Sequence, residues 1–228
     1  MRIFTVDRGN SNTSYLMWND DSFQLVEKIT EENIPVIASN VSAHKFSSPI
    51  IEFNHLDQFS HLLPFQIEYP NTIGVDRIFC AISAFLKKSE NQNILIIDAG
   101  TFTTVDLLIG NNFKGGMILP GDNAIQNCYQ IGANLSTPLF STESTLTYPF
   151  NTTQSCLTSS FPFLLKTTYE KIIKENSIDQ VFFTGGNGQI HQNLFQKIDV
   201  KTQYEPFLIH FGIKYIFNKN KTQTQGRQ

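Results

Sequence analysis

The sequence has few cysteines, no long apolar run and no concentration of positive charge. Its three cysteines, Cys80, Cys128 and Cys156, form no Cys-x-x-Cys pair, which argues against disulfides and a zinc site and favours a reducing cytoplasm. No apolar stretch approaches the roughly 18 residues of a membrane span, and Met1-Arg2 leads directly into a strand pattern, so we expect neither membrane insertion nor a signal peptide. The net charge of −3, with scattered Lys and Arg, makes nucleic acid an unexpected partner.

One motif occurs twice in the chain. The first copy, Asp7–Thr13, follows the apolar run Ile3–Val6, and the second copy, Asp98–Thr104, follows Ile94–Ile97. Each copy has an Asp, a Gly two residues later and a Thr at the seventh position, and each leads into another apolar run. This pattern predicts a strand, a tight polar turn and a returning strand. Because such turns offer backbone N–H groups and a carboxylate to phosphates and a cation, two copies indicate a duplicated α/β domain with a nucleotide between the halves.

The hydrophobic periodicity predicts similar elements in both halves. Strands are expected at 2–7, 13–18, 23–29, 36–39 and near 49–53, and then at 94–98, 103–109, 113–118 and 181–184. Helices are expected after the loop that ends at Gly74, ending near Lys87-Lys88, and at about 123–135, 154–175, 189–197 and 206–217. We therefore predict an N-terminal domain at 1–92, a C-terminal domain at 93–217 and a polar, mobile tail at 218–228.

The two repeated turns each have a functional and an ordinary explanation. In the first turn, Asp7–Ser14, Gly9 lets the backbone approach a phosphate and the neighbouring polar side chains add donors. An Asx-capped β-turn accounts for the same residues without any ligand. In the second turn, Asp98–Asp106, Asp98 follows four aliphatic residues, where a carboxylate must be paired or bound to a cation. A turn carboxylate satisfied by hydrogen bonds is the alternative.

Gly74–Arg77 places an acid and a base at the predicted start of a helix. A capping Asp76 with a surface Arg77 is the simpler explanation, by about two to one on spacing alone. The functional alternative is a general base beside a cation that anchors a substrate.

Thr184–Gly188 follows a buried strand and opens a helix. It is either an ordinary turn or a place where a flat adenine or ribose passes close to the backbone. The five histidines, at positions 44, 55, 61, 191 and 210, show no metal-binding spacing, and we predict surface or capping roles for them.

The order of these motifs resembles the type III pantothenate kinases, members of the acetate/sugar kinase, Hsp70 and actin superfamily. No single motif is specific, but their order and spacing extend over the whole chain. The motifs are D-x-G-N-S-x-T from Asp7, G-x-D-R from Gly74, D-x-G-T-x-x-T-x-D from Asp98, G-G-M-I-L-P-G from Gly115, N-T at Asn151 and T-G-G from Thr184. The resemblance implies duplicated ribonuclease H-like (actin-like ATPase) domains with the nucleotide in the cleft between them.

The same resemblance implies ATP-dependent phosphorylation of pantothenate, the first step of coenzyme A biosynthesis, by a cytoplasmic homodimer with the pantothenate pocket at the subunit interface. Asp76 would accept the proton of the substrate hydroxyl, Asp98 would bind potassium or ammonium, and Asp7 would lie near Mg²⁺. The residues implied to contact ATP are Asp7, Arg8, Gly9, Asn10, Ser11, Asn12, Thr13, Ser14 and Thr101. Those implied to contact pantothenate are Tyr69, Gly74, Val75, Asp76, Arg77 and Thr152.

The chain departs from the family pattern at three of these positions. Arg8 stands where an aliphatic residue is usual, and Ser14 stands where Lys or Arg is common. Tyr69 lies closer to Gly-x-Asp-Arg than the substrate-binding Tyr of the family does. The first turn is therefore expected to hold phosphates by somewhat different contacts.

Two other functions and one other role assignment remain open at this point. The chain could be a sugar or acetate kinase, although those chains are usually longer. It could also be a non-catalytic accessory factor for transcription on the same scaffold, although retention of Asp7, Asp76, Arg77 and Asp98 argues against this. Within a kinase, the contrary assignment makes Asp98 the base and Asp76 an anchor.

Overall fold

A computed structural model describes residues 1–31, 33–42, 46, 50–132, 134–143 and 146–225 of the chain. The chain divides into two units. Unit 1 comprises Met1–Lys87, Asn111–Phe113 and Phe207–Gln228, and unit 2 comprises Lys88–Gly110 and Lys114–Pro206. Unit 1 thus takes in the end of the chain, which the sequence had assigned to the C-terminal domain and the tail.

The sheet of unit 1 is built on a central buried strand. The strands are β1 (Arg2–Arg8), β2 (Thr13–Asn19), β3 (Ser22–Val26), β4 (Val36–Asn40) and β5 (Ile51–Phe53), in the order β3-β2-β1-β4-β5. β1 pairs antiparallel with β2 and parallel with β4. Its residues Ile3–Val6 are all buried, as expected for a central strand of a mixed sheet. The parallel register places Asp7 opposite Ser39.

Unit 1 also contains two long helices and several short elements. A short strand, β6 (Gln66–Ile67), pairs in parallel with Asn112 and Phe113. Helix α1 (Val75–Lys87) has Asp76 in its first turn and Lys87 in its last, which suits the helix dipole. The remaining elements are 3₁₀ helices at Leu56–Gln58 and Ser60–Leu62 and the C-terminal helix described below.

Unit 2 repeats the strand order of unit 1. Its strands are β7 (Ile94–Ala99), β8 (Phe102–Ile109), β9 (Asn112–Pro120), β10 (Gln180–Thr184) and β11 (Lys201–Tyr204), in the order β11-β10-β7-β8-β9, with the short β6 as the sixth strand next to β9. The central strand β7 pairs antiparallel with β8 and parallel with β10, as β1 does with β2 and β4. In both sheets the order is therefore third, second, first, fourth and fifth strand. This shared topology confirms the predicted duplicated α/β fold.

Four helices complete the described chain. They are α2 (Asp122–Cys128), α3 (Thr153–Glu175), α4 (Gly188–Asn193) and α5 (Leu208–Gln225), with a 3₁₀ turn at Tyr129–Ile131 after α2. Of the helices in the described ranges, none has the length and apolarity that a membrane span requires. The core of unit 2 forms where α3 packs Leu165 and Tyr169 against Leu95, Val181 and Phe183 of the sheet.

The structure corrects several predicted bounds. The helix predicted at 123–135 ends by Ile131, because Gly132 takes an extended conformation. The helix predicted at 189–197 is only Gly188–Asn193, and two short strands, β6 and β11, were not predicted. In the segment with a strand expected near 49–53, residues 43–45 and 47–49 lie outside the described residues, and β5 covers Ile51–Phe53.

The largest correction concerns the polar tail predicted at 218–228. α5 continues through this segment to Gln225. Its last two turns are polar, so hydrophobic periodicity gives no signal there. Lys and Gln are nevertheless good helix formers, and Thr222 donates a hydrogen bond to the carbonyl of Asn218 one turn earlier, at 3.0 Å.

Candidate active site

The first turn joins β1 to β2 at the end of the central strand of unit 1. Asp7 pairs with Ser14 and Arg8 with Thr13 across the hairpin, and the N–H of Gly9 donates to the carbonyl of Asn12 at 3.0 Å. Asn10, Ser11 and Asn12 at the tip are exposed. The tip therefore has polar side chains and backbone that can meet a ligand, while Asp7 is held at the strand end.

Arg8 and Ser14, the two residues of the first turn that depart from the family pattern, each contact another side chain of unit 1. The Arg8 guanidinium carbon lies 3.9 Å from the ring centroid of Phe46, in a cation–π contact. Ser14 Oγ lies 2.8 Å from Nε2 of His210 on α5. The hydroxyl of Ser14 is thus engaged with a buried imidazole on the protein side of the hairpin.

The residues Tyr69, Gly74, Asp76 and Arg77 come together at the start of α1. Asp76 Oδ1 accepts a hydrogen bond from the N–H of Arg77 at 2.9 Å. A Cβ on Gly74 would stand 2.4 Å from Asp76 Oδ1, so this carboxylate orientation needs a glycine there. The Arg77 guanidinium carbon lies 5.5 Å from the centroid of the Tyr69 ring, and Val75 is buried.

Asp76 is electrostatically unusual for an acid at a helix start. Burial raises the pKa of its carboxyl above the usual range, although the N–H and the charge of Arg77 pull it down. A raised pKa makes the carboxylate a stronger proton acceptor, which suits a general base. Arg77, predicted as a surface residue in the simpler explanation, is buried.

The second turn is packed between two glycine-containing segments of unit 2. Asp98 lies opposite Thr104 on β8 and Thr184 on β10. The N–H of Gly121 donates to the carbonyl of Thr101 at 3.1 Å, and the N–H of Asn187 donates to the carbonyl of Ala99 at 2.9 Å.

Glycine is required on both sides of this turn. A Cβ on Gly121 would stand 2.3 Å from the Gly100 carbonyl oxygen. Gly185 has φ of +81°, and a Cβ there would stand 2.4 Å from Asp98 Oδ1 and 2.6 Å from the Ala99 carbonyl oxygen. Gly186 differs, because a Cβ there would meet no atom within 4 Å. Gly185 therefore serves the packing of the turn, and Gly186 leaves open space above it.

Thr152 begins α3 rather than standing free in a loop. Its Oγ1 accepts from the N–H of Ser155 at 3.0 Å, which caps the helix. A pocket of about 390 Å³ lies beside it, lined by Asn151, Ser155, Ser159 and residues of the preceding loop, among them Glu143. The predicted substrate residue thus lies next to a polar pocket in unit 2.

Two histidines contradict the prediction of surface or capping roles. His191 and His210 are both about 1% exposed and both join buried hydrogen-bond networks. Nδ1 of His210 lies 2.8 Å from Thr5 Oγ1, which also accepts from Trp18 Nε1 at 2.8 Å. Among the described residues no cluster of three His, Cys, Asp or Glu side chains could hold a metal. The only sequence signal for these networks was the position of each histidine near an apolar run.

The sequence matches a known protein family over more than half of its length. The family model of type III pantothenate kinases matches residues 40–175. The chain belongs to the type III pantothenate kinase family. The match confirms the family resemblance seen in the motifs. It includes Gly74–Arg77, the second turn and Thr152, whereas the first turn precedes it.

Relatives within the type III pantothenate kinase family extend the match. The type III pantothenate kinase of Aquifex aeolicus is 29% identical over 246 residues, which cover 96% of this chain and all of the relative. The one of Christiangramia forsetii is 32% identical over 172 residues, covering 71% of this chain and 67% of the relative.

A solved structure supports the fold. A conserved Campylobacter jejuni protein assigned to a Baf family of transcriptional activators aligns with a TM-score of 0.66 and 22% identity, over 96% of this chain and all of that chain. At this identity the likeness shows the fold alone.

Proposed function

We propose that this protein transfers the γ-phosphoryl group of ATP to the primary hydroxyl of pantothenate, forming 4′-phosphopantothenate. The family match over residues 40–175 carries the proposal. The cluster at the start of α1 supports it, because it combines a half-buried carboxylate, the buried Arg77 and an aromatic ring. These groups suit a small acceptor that carries both a hydroxyl and a carboxylate.

In this mechanism Asp76 accepts the proton of the pantothenate hydroxyl as its oxygen bonds to the γ-phosphorus. The bond from that phosphorus to the bridging oxygen of ATP breaks, and ADP leaves with the electron pair. Phosphoryl transfer depends mainly on alignment and charge neutralisation, so the base needs only to be placed and basic enough. The raised pKa of Asp76 meets the second requirement. Arg77 and Tyr69 would hold the acceptor, with Gly74 and Val75 shaping the turn and Thr152 adding a contact.

We assign the first turn, Asp7–Ser14, and Thr101 to ATP. The exposed tip of the turn supports this assignment, and Arg8 and Ser14 would act mainly by holding its base, since both contact other parts of unit 1. Mg²⁺ near Asp7 would take most of its ligands from ATP and water, because magnesium in such sites uses few protein carboxylates.

We assign potassium or ammonium to Asp98. Its Oδ1 and the Ala99 carbonyl oxygen both lie within 2.6 Å of the position that a Cβ on Gly185 would occupy. Carboxylate and carbonyl oxygens are the donors that hard cations prefer. The cation would supply positive charge close to the nucleotide; Asp98 would hold it and would not act as the base.

Direct assay of ATP-dependent phosphorylation of pantothenate tests the function. Asp76→Asn should lower kcat about a hundredfold or more, since general-base catalysis contributes about 10²–10⁴-fold, and should leave the Kd for ATP within about threefold. The matched control, Asp199→Asn, changes an exposed carboxylate and should retain wild-type turnover. Wild-type turnover in Asp76→Asn would remove Asp76 as the base.

The same assay separates the remaining alternatives. Asp98→Asn should abolish activation by potassium while some turnover remains, whereas the contrary assignment expects Asp98→Asn to lose turnover at every potassium concentration. No phosphorylation of pantothenate by the wild-type protein in the presence of potassium would favour the accessory-factor alternative. The Campylobacter jejuni structure gives that alternative no support beyond a shared fold.

We also propose a cytoplasmic homodimer, as the family resemblance implied. Exposed apolar side chains on unit 2, including Tyr148 and Leu164 at 71% and 61% exposure, are compatible with a protein interface. Light scattering of the purified protein would distinguish a dimer from the 25.9 kDa monomer.

A further inference from the structure

Three buried polar side chains in unit 2 form a chain of hydrogen bonds that connects to the second turn. His191 Nε2 stands 3.0 Å from Asp122 Oδ1 and 3.3 Å from Oδ2, and His191 Nδ1 stands 3.0 Å from Tyr169 Oη. Asp122 begins α2, His191 lies in the last turn of α4 and Tyr169 lies within α3. Their exposed fractions are 7% or less. None of them belongs to the motifs that indicated the kinase family.

The polar groups of this chain satisfy one another's hydrogen bonds. A carboxylate only accepts, so His191 donates its Nε2–H to Asp122. Burial, with the negative charge of Asp122 as a second cause, raises the pKa of Tyr169 far above its usual range. Tyr169 therefore keeps its proton, and its hydroxyl forms a hydrogen bond with Nδ1 of His191. Every member of the chain is thus satisfied, which makes a buried network rigid.

Two members of this network, Asp122 and His191, are linked through backbone hydrogen bonds to the second turn. Asp122 directly follows Gly121, whose N–H bonds to the carbonyl of Thr101. His191 lies one turn into α4, and its own N–H donates to the carbonyl of Asn187 at 3.0 Å; Asn187 in turn donates to the carbonyl of Ala99. The bond between Asp122 and His191 therefore ties together the two segments that hold the backbone of Ala99–Thr101.

We infer that the buried chain Asp122–His191–Tyr169 positions the second turn for ATP, and that its integrity sets the affinity for the nucleotide. This inference rests on the assignment of Thr101 to ATP made above. The three side chains are positioning residues, because their burial keeps them from touching substrate. A nucleophilic or hydrolytic role for Tyr169 is excluded for the same reason, since the residue has 0% exposure.

Asp122→Leu and Asp122→Asn form the decisive pair. Leucine removes the acceptor for His191, so the Kd for ATP measured by calorimetry should rise about tenfold or more, as losses of supporting hydrogen bonds around a binding site do. Asparagine keeps an oxygen that accepts the Nε2–H, so its Kd should return to within about threefold of wild type. The KM for pantothenate should stay within about twofold in both variants.

A merely structural role would give a different result. In that case Asp122→Leu would lower the Tm but bind ATP as the wild type does at a temperature where circular dichroism shows it folded, and this would overturn the inference. If Asp122→Leu does not fold, Tyr169→Phe replaces it as the test. Loss of that hydroxyl should weaken ATP binding by about threefold or more, and an unchanged Kd in Tyr169→Phe would equally overturn the inference.

Calorimetry keeps this inference separate from the proposed function. Wild-type protein that binds ATP but does not phosphorylate pantothenate would refute the proposed function. The comparison of Asp122→Leu with Asp122→Asn would then still test the inference about ATP affinity. Wild-type protein that fails to bind ATP would overturn both.

Discussion

Gly185 and Gly186 are adjacent in sequence but have different steric surroundings. Gly185 has a left-handed backbone, with φ of +81°, and lies against Asp98 Oδ1 and the carbonyl of Ala99, whereas Gly186 faces open space. The sequence offered only a glycine pair, which suits a turn or a passing nucleotide equally. The structure separates the two positions, because steric contact depends on the backbone of a segment far away in the sequence.

Gly185→Ala should therefore destabilise the protein far more than Gly186→Ala does. The first change combines a strained backbone with a backbone clash, together worth about 2–4 kcal/mol in the free energy of unfolding. The second should change it by about 0.5 kcal/mol or less, as most substitutions in open space do. Urea denaturation of both variants measures the difference. Equal stabilities would show that the turn at Asp98 can relax around an added methyl group.

At the residue scale, the proposed site rests on short motifs more than on single side chains. Asp7, Asp76 and Asp98 were singled out because each lies in a local pattern of Gly, small polar residues and a strand or helix end. Asp122 and His191 were missed, because their partner lies on another element and no local pattern records that contact. Arg77 was also singled out, but its burial depends on packing that its neighbours in sequence do not reveal.

At the scale of elements, α5 packs against a sheet whose strands come from the opposite end of the chain. His210 lies on α5 and bonds through Nδ1 to Thr5 of β1 and through Nε2 to Ser14 of β2. Trp18 packs edge-on against Phe211, with ring centroids 5.3 Å apart. These contacts with α5 therefore hold the β1–β2 hairpin, which carries the first turn, in place.

The buried His210 should make stability depend on pH. Burial lowers the pKa of His210 from its usual value of 6.5 to about 3. Below about pH 6.5 the unfolded chain binds a proton that the folded protein does not, so the free energy of unfolding falls as the pH drops from about 6.5 towards 3. Between pH 7 and 5 this amounts to about 2 kcal/mol, at about 1.4 kcal/mol per pH unit.

Urea denaturation at the two pH values measures this loss. His210→Asn should be less stable at pH 7, because a buried network is broken, but should lose about 2 kcal/mol less than wild type on acidification. His61→Asn, which alters an exposed histidine, should keep the wild-type pH dependence. If His210→Asn lost as much unfolding free energy between pH 7 and pH 5 as the wild type does, other groups would be the cause of the acid sensitivity.

At the scale of the whole molecule, the sequence predicted the duplication but not how the chain divides. The repeated Asp-x-Gly turns and their flanking apolar runs are local signals, and both sheets have the topology that they indicated. The return of residues 207–228 to unit 1 was not predicted, because it rests on contacts such as Thr5 with His210, between residues at opposite ends of the chain.

This division predicts that an N-terminal fragment of residues 1–92 does not fold alone. Ser83 Oγ on α1 donates to the carbonyl of Leu208 at 2.5 Å, and a Cβ on Gly212 would stand 2.2 Å from the carbonyl oxygen of Phe79, so α1 and α5 are in close backbone contact. Removing α5 uncovers this face and the fully buried Trp18, and it leaves the hydroxyl of Thr5 without His210. A domain of this size buries too little apolar surface to lose a whole helix of its core.

Joining residues 206–225 to residues 1–92 through a flexible Gly/Ser linker of about 20 residues should restore folding. Circular dichroism and urea denaturation should show a cooperative transition for the fusion and none for residues 1–92 alone. Gly212→Leu in the fusion is the matched control and should abolish the transition, because its side chain would collide with the backbone of α1. Cooperative unfolding of residues 1–92 alone would instead mean that α5 is an accessory to a complete N-terminal domain. The two repeats would then be independent folding units, as the duplicated sequence pattern on its own suggests.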